Sequence, residues 1–256
     1  MSTTPLRKGI YLLPNLLTTA ALFAGFYAVV AAMDGNFKKA AIGIFVAMFM
    51  DGLDGRVARF TGTSSDFGKE YDSLSDMVSF GVAPALVVYQ WGGAVLRDLG
   101  WLWGKLGWIA AFFYAVSGAL RLARYNAHAH EIKENFFQGL PIPSAAALVG
   151  GLVWLGSEYE LTGASAFIGG FYITAMAGAL MVSSLDYWSP KNLNLARSVP
   201  FTFLLVIPAI FMLISLDPPI VLFLMAFTYA LSGPALEVWR MLRKRGKQAD
   251  DHSEAA

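Results

Sequence analysis

The sequence predicts an all-α, polytopic helical membrane protein, and three observations carry that reading. Of 256 residues, 56% are hydrophobic and only 14% charged, whereas an average soluble domain carries about 25% charged residues. The apolar residues fall in runs at or near the length of a membrane span. The basic residues, in turn, collect at alternate ends of those runs. This composition argues against two soluble domains, a disordered chain or a basic nucleic-acid module, so no nucleic-acid partner is expected. The chain has no cysteine, which excludes disulfides, thiolate zinc sites and cysteine nucleophiles.

The polar N-terminus, with Arg7 and Lys8, precedes the first apolar run, residues 11–33. That run can cross a hydrocarbon core of about 30 Å at 1.5 Å per residue. A cleaved leader fits less well, because more spans follow and no small-residue cleavage site leads into a soluble domain. The second run, residues 39–60, is apolar to Met50 and charged thereafter. The third, 72–91, opens on two aspartates, and the fourth, 106–125, closes on two arginines. The fifth, 143–155, is short. The sixth (164–182) and seventh (199–216) carry no charge, and the eighth (219–239) ends against a basic tail. Eight spans are expected, with six spans plus a loosely attached pair as the alternative. Residues 1–190 form the expected core, 191–241 additional transmembrane helices, and 242–256 a polar cytoplasmic tail whose last few residues fray.

With the N-terminus inside, fifteen of the nineteen Lys and Arg residues fall at cytoplasmic ends; only Lys38, Lys39, Arg97 and Lys105 fall outside. The positive-inside rule therefore places both termini in the cytoplasm. The tail W-R-M-L-R-K-R-G-K fits a juxtamembrane anchor to anionic membrane lipids, and simple topology determination explains it equally well.

One segment breaks the charge-poor rule. From Asp51 to Asp76 the chain reads D-G-L-D-G-R-V-A-R-F-T-G-T-S-S-D-F-G-K-E-Y-D-S-L-S-D. Asp51 and Asp54 are three apart and share a helical face, as do Asp72 and Asp76, four apart. The polar turn 61–67 makes the two helices neighbours, so the four carboxylates can converge at the cytoplasmic end. Unpaired at mid-membrane, four aspartates would cost on the order of 10–14 kcal/mol. Two divalent cations remove the conflict, and hard oxygen ligands without His or Cys point to Mg2+ or Mn2+. The competing account makes these residues caps and loop charges paired with Arg56, Arg59 and Lys69; Asp66 fits it, and Asp72 could cap its helix. Gly52, Gly55 and Gly68 are expected where two helices approach each other and a ligand. Arg59 suits a phosphate by its fork geometry.

The pattern D-x2-D-G-x2-A-R-x8-G-x3-D-x3-D is present without a gap, as Asp51, Asp54, Gly55, Ala58, Arg59, Gly68, Asp72 and Asp76. It resembles the signature of the CDP-alcohol phosphotransferases, integral membrane enzymes of phospholipid synthesis. The resemblance implies a six-helix core, here with about two extra C-terminal helices, a homodimer, and a site at the cytoplasmic face of the cell (inner) membrane. It implies that Asp51, Asp54, Asp72 and Asp76 surround two metals, with Asp76 as catalytic base. It also implies that Gly55, Arg59 and Ser65 contact the CDP part of a liponucleotide.

Three further segments, P-N-L-L-T from Pro14, V-S-F-G-V-A-P from Val78, and R-L-A-R-Y-N from Arg121 with F-F-Q-G-L-P-I-P-S-A from Phe136, are similar to integral-membrane phosphatidylserine synthases over about the first 190 residues. That resemblance implies CDP-diacylglycerol and L-serine as substrates. Arg121 and Arg124, three apart on one helical face, fit a serine carboxylate or a plain positive-inside role, and Asn126 adds an amide. Asn15 and Thr18 fit either hydrogen bonding to cytidine or a helix–helix polar contact. Glycerol 3-phosphate and inositol phosphate remain alternative acceptors. A cation transporter is disfavoured, because no span carries a carboxylate near its middle. His128 and His130 are read as solvated.

Overall fold

The computed structural model describes residues 12–63, 65–127, 136–161, 163–188, 208–209 and 212–254. Seven long helices cross the bundle among the described residues: α1 (Leu12–Met33), α2 (Phe37–Thr61), α3 (Asp66–Asp76) running through a π-helical stretch (Met77–Val82) into α4 (Ala83–Asp98), α5 (Trp101–Ala127), α6 (Ile142–Glu158), α7 (Ala164–Val182) and α8 (Pro218–Glu254). Five of these seven are long and apolar enough to cross a membrane, and α6 is shorter at 17 residues. The seven match seven of the eight expected spans. The remaining one, residues 199–216, lies mostly outside the described residues, as do His128 and His130; residues 212–216 are helical.

The polar ties between helices sort into two ends. At one end Lys38 on α2 pairs with Glu158 of α6 at 2.8 Å, and Tyr159 donates to Asp217 just before α8. At the other end Asn126 donates to Ser73 Oγ at 3.0 Å, and Arg240 meets Asp186 at 2.8 Å. Arg124 Nη2 lies on the last carbonyls of α7, closest to Val182 O at 2.9 Å, where a cation complements the helix C-terminus. The sequence's acidic cluster belongs to this second end.

A two-stranded antiparallel ribbon, absent from the sequence-based expectation, closes the same end. β1 (Phe136–Gln138) pairs with β2 (Asp186–Trp188), Phe137 opposite Tyr187. Gly139, at φ +73°, lets the chain turn so that its amide reaches Leu185 O and the Leu140 amide reaches Leu180 O. Three residues per strand give too little alternation to be read as strands.

The C-terminal helix is not loosely attached. Ala226 and Ala230 of α8 are buried, and the backbone of Phe223 lies directly over Gly151 of α6. Helix α8 also runs on through residue 254, so the expected polar tail is helical for most of its length.

Helix α1 locks the α3–α4 rod in place through small groups. Ser75 Oγ and Ser79 Oγ each donate to an α1 carbonyl, Thr18 O and Ala21 O, both at 3.2 Å. A β-carbon on Gly25 would stand 2.7 Å from the Cα of Ser79. Gly52 has open space around it instead, which corrects the expectation that it serves helix approach. Gly25→Ala should therefore destabilise the protein by about 1–3 kcal/mol through overpacking. Gly52→Ala, on an open helical face, should hold or gain up to about 1 kcal/mol. Thermal unfolding in detergent checks both.

Candidate active site

The turn between α2 and α3 sets the two aspartate pairs opposite each other. Gly62 ends α2 in the left-handed conformation at φ +62°, its amide and that of Thr63 capping the last turn. Ser65 then caps α3, its Oγ accepting from the Gly68 amide at 3.0 Å. Asp72 therefore lies well inside α3 and is no cap, contrary to that alternative. Among the described residues Asp66 pairs with Lys69, at 3.8 Å and exposed.

Asp51, Asp72 and Asp76 each bring a carboxylate oxygen within 4.8 Å of the other two. Asp51 and Asp76 lie within hydrogen-bonding reach of each other. All three are half-buried, and among the described residues none is paired with Arg56, Arg59 or Lys69. Oδ1 of Asp72 is buried without a hydrogen-bond partner. An unsatisfied buried carboxylate oxygen facing two like charges is what a bound cation relieves. The donor set is all oxygen, so it fits a hard divalent ion.

Asp54 stands slightly apart. It is 5% exposed, and the Thr18 hydroxyl donates to its Oδ2 at 2.6 Å. Thr18 thus orients a carboxylate across the α1–α2 contact, which accounts for a hydroxyl within an apolar span. A cleft opens beside it between α1, α2 and α3, lined by Asn15, Thr18, Asp54, Gly55, Ser65, Gly68 and Asp72 among others. Gly55 meets nothing within 4 Å, so it leaves room in the cleft and brings no helices together. Gly68 is tight, with a β-carbon there 3.1 Å from Ser65 Oγ and 3.5 Å from Asn15 Oδ1. Arg59 is exposed in the last turn of α2, outside this lining. Lys69 and Thr63 line the cleft instead; both were missed, although Lys69 directly follows Gly68 in the motif.

On the α5 side, Arg121 is 8% exposed, its Nε has no hydrogen-bond partner, and it lies within electrostatic reach of Asp76. A buried guanidinium with a free N–H beside a carboxylate cluster marks a place for an anionic group. Arg124 holds the end of α7, and Asn126 ties α5 to α3 through Ser73, the neighbour of Asp72.

Residues 11–185 match the family described as CDP-alcohol phosphatidyltransferase. A CDP-diacylglycerol–serine O-phosphatidyltransferase of Helicobacter pylori is 37% identical over 188 residues, covering 72% of this chain and 75% of its own. One of Mycobacterium bovis is 38% identical over 206 residues, covering 76% and 66%. An archaetidylserine synthase of Methanothermobacter thermautotrophicus is 36% identical over 177 residues, covering 68% and 69%. The chain belongs to the CDP-alcohol phosphatidyltransferase family.

The Thr18–Asp54 contact gives a direct test. Thr18→Val should weaken Mn2+ binding about tenfold, as loss of a group orienting a metal ligand does. Thr18→Ser should retain it, with bound Mn2+ read by electron paramagnetic resonance.

Proposed function

We propose that this multi-pass membrane enzyme is a phosphatidylserine synthase, transferring the phosphatidyl group of CDP-diacylglycerol to the hydroxyl of L-serine and releasing CMP. The observation that carries an anionic acceptor is Arg121. It is a buried, incompletely paired guanidinium within electrostatic reach of Asp76, and it would pair with the serine carboxylate as it would with the phosphate of glycerol 3-phosphate or inositol phosphate. Serine is favoured among these by the names of the relatives, two CDP-diacylglycerol–serine O-phosphatidyltransferases and an archaetidylserine synthase.

Asp51, Asp54, Asp72 and Asp76 would hold two divalent ions, Mg2+ or Mn2+. When bound, such ions neutralise a pyrophosphate and favour departure of its nucleotide. The cleft on the α1–α2 side would take the CDP part, with Asn15, Gly55 and Ser65 lining it. Thr18 acts there by orienting Asp54, and Arg59 reaches the phosphates from the cleft's margin. Arg121 would bind the serine carboxylate, with Arg124 and Asn126 fixing the end of α5 around it. Asp76 accepts the hydroxyl proton as the serine oxygen attacks the phosphorus bearing diacylglycerol. A new P–O bond forms, the bridging P–O bond breaks, and CMP leaves with the electron pair. Asp76 gains from placement, since a base held at the reacting hydroxyl replaces a chance encounter.

The excess of basic residues at this end supports a cytoplasmic side for it and for both termini, in the cell membrane. The apolar face of α5, with Trp101, Trp108 and Phe112 exposed, suits a homodimer contact within the bilayer.

Purified protein given CDP-diacylglycerol and Mg2+ or Mn2+ should release CMP with L-serine and far less with glycerol 3-phosphate or inositol phosphate. The opposite preference would overturn the acceptor assignment. Asp76→Asn should abolish turnover while keeping CDP-diacylglycerol binding, and EDTA should stop CMP release. Arg121→Ala should raise the KM for serine at least about tenfold, as loss of a charge-assisted pair does, and leave that for the liponucleotide within about twofold. An unchanged serine KM would remove Arg121 from the site.

A further inference from the structure

The helix carrying Asp72 and Asp76 changes geometry immediately after Asp76. Met77–Val82 is π-helical, and α-helix resumes at Ala83. Proline follows at once, as Pro84. The Ala83 amide still bonds five residues back, to Val78 O; where the α-helical spacing resumes, residue 84 is a proline without an amide hydrogen, and the carbonyl four residues earlier has no α-helical donor. That carbonyl belongs to Phe80, which is fully buried, where an unsatisfied acceptor costs about 1–3 kcal/mol. The Tyr114 hydroxyl of α5 donates to Phe80 O at 2.9 Å, and Tyr114 is itself fully buried.

The same device occurs a second time. Pro234 lies inside α8, the carbonyl four residues before it is that of Ala230, and the Tyr187 hydroxyl donates to it at 2.9 Å. Among the described residues, Tyr114 and Tyr187 are the two largest fully buried side chains. The repetition shows that a phenol from a neighbouring element can stand in for a proline's missing amide in this fold.

At Pro84 the substitution has a consequence for the site. A π-helical insertion shifts the helix's phase by about one residue, roughly 100° of rotation. Above the insertion, Val87, Val88 and Trp91 are buried in the core. Below it, Ser75 faces α1 while Asp72 and Asp76 face Asp51. Without the shift, the apolar stripe and the two carboxylates could not both be in register.

We infer that Tyr114 is a positioning residue for the aspartate helix: its phenol replaces the amide that Pro84 lacks and holds the π-helical register in which Asp72 and Asp76 face the site. This rests on the reading of Asp72 and Asp76 as active-site residues. Restoring an amide at position 84 should make the phenol dispensable. The test compares wild type, Tyr114→Phe, Pro84→Ala and the double variant, using CMP release with serine together with Mn2+ affinity.

Tyr114→Phe should lower kcat about tenfold, within the range for slight misplacement of reacting groups, with both KM values held within about twofold. It should weaken Mn2+ binding in parallel. The double variant should return both quantities to within about threefold of Pro84→Ala alone. A wild-type kcat and Mn2+ affinity in Tyr114→Phe would overturn the inference, as would a double variant no better than Tyr114→Phe. If Tyr114→Phe cannot be recovered folded, a folded and active double variant supports the inference and an unrecoverable one overturns it. Failure of the functional reading would look different: wild type would release no CMP with serine, while the Mn2+ comparison among the variants would still decide the role of Tyr114.

Discussion

Three carboxylate oxygens within 4.8 Å of one another, at the end of an apolar bundle, repel each other, and the rest of the structure is organised by that constraint. Like charges in such surroundings separate unless their backbones are held. Each aspartate pair sits on its own helix, so the helices must be fixed in axial position and in rotation. Helix α1 does much of this. Its carbonyls receive Ser75 and Ser79, its Gly25 lets the α3–α4 rod approach to backbone contact, and its Thr18 orients the fourth carboxylate. These contacts are buried and made by small groups, which is how polar interactions fix helices against each other in a membrane.

Prolines within the rods raise a second difficulty and provide its solution. A proline inside a helix forfeits a hydrogen bond that lipid cannot replace. Both interruptions described here are repaired by a tyrosine from another element. Tyr187 sits on β2, and its protonated phenol donates to Ala230 O at 2.9 Å. The three-residue ribbon, easily taken for an incidental loop feature, is what carries that phenol to α8. Its neighbour Asp186 holds Arg240 on the same helix. The C-terminal helix is thus fastened to the core at the end where the aspartates lie.

The helices and the acidic site were legible because each leaves a periodic or compositional trace. Apolar runs announce spans, and aspartates spaced three and four apart in a charge-poor chain announce a shared face. What escaped the sequence depends on contacts between distant residues. Tyr114 reads as one more aromatic in α5, because its partner Phe80 is 34 positions away. The ribbon escaped because three-residue strands carry no usable period. Gly52 and Gly55 are expected where two helices approach each other and a ligand; the helix-approach half fails for both and Gly55 lines the cleft, since glycine spacing alone does not distinguish a close helix contact from open space. Thr18 illustrates the middle case: in the first span it fits either cytidine hydrogen bonding or a helix–helix polar contact, and the fold shows the latter, with Asp54 as its partner.

The arrangement around α3 also bears on the proposed direction of the reaction. The cleft lined by Asn15, Asp54 and Gly55 lies on the α1–α2 side of the aspartates. Arg121 and Asn126 approach from α5, the latter through Ser73 beside Asp72. Displacement at phosphorus proceeds with the attacking and leaving oxygens roughly in line. A donor held by one pair of helices and an acceptor held by another would meet those requirements without large rearrangement of either. Asp76 then stands where the two sides meet, within reach of Asp51 and facing Arg121. The rotation of a single helix decides whether its carboxylate points into that meeting place, so the register set below Pro84 is part of the chemistry as well as of the fold.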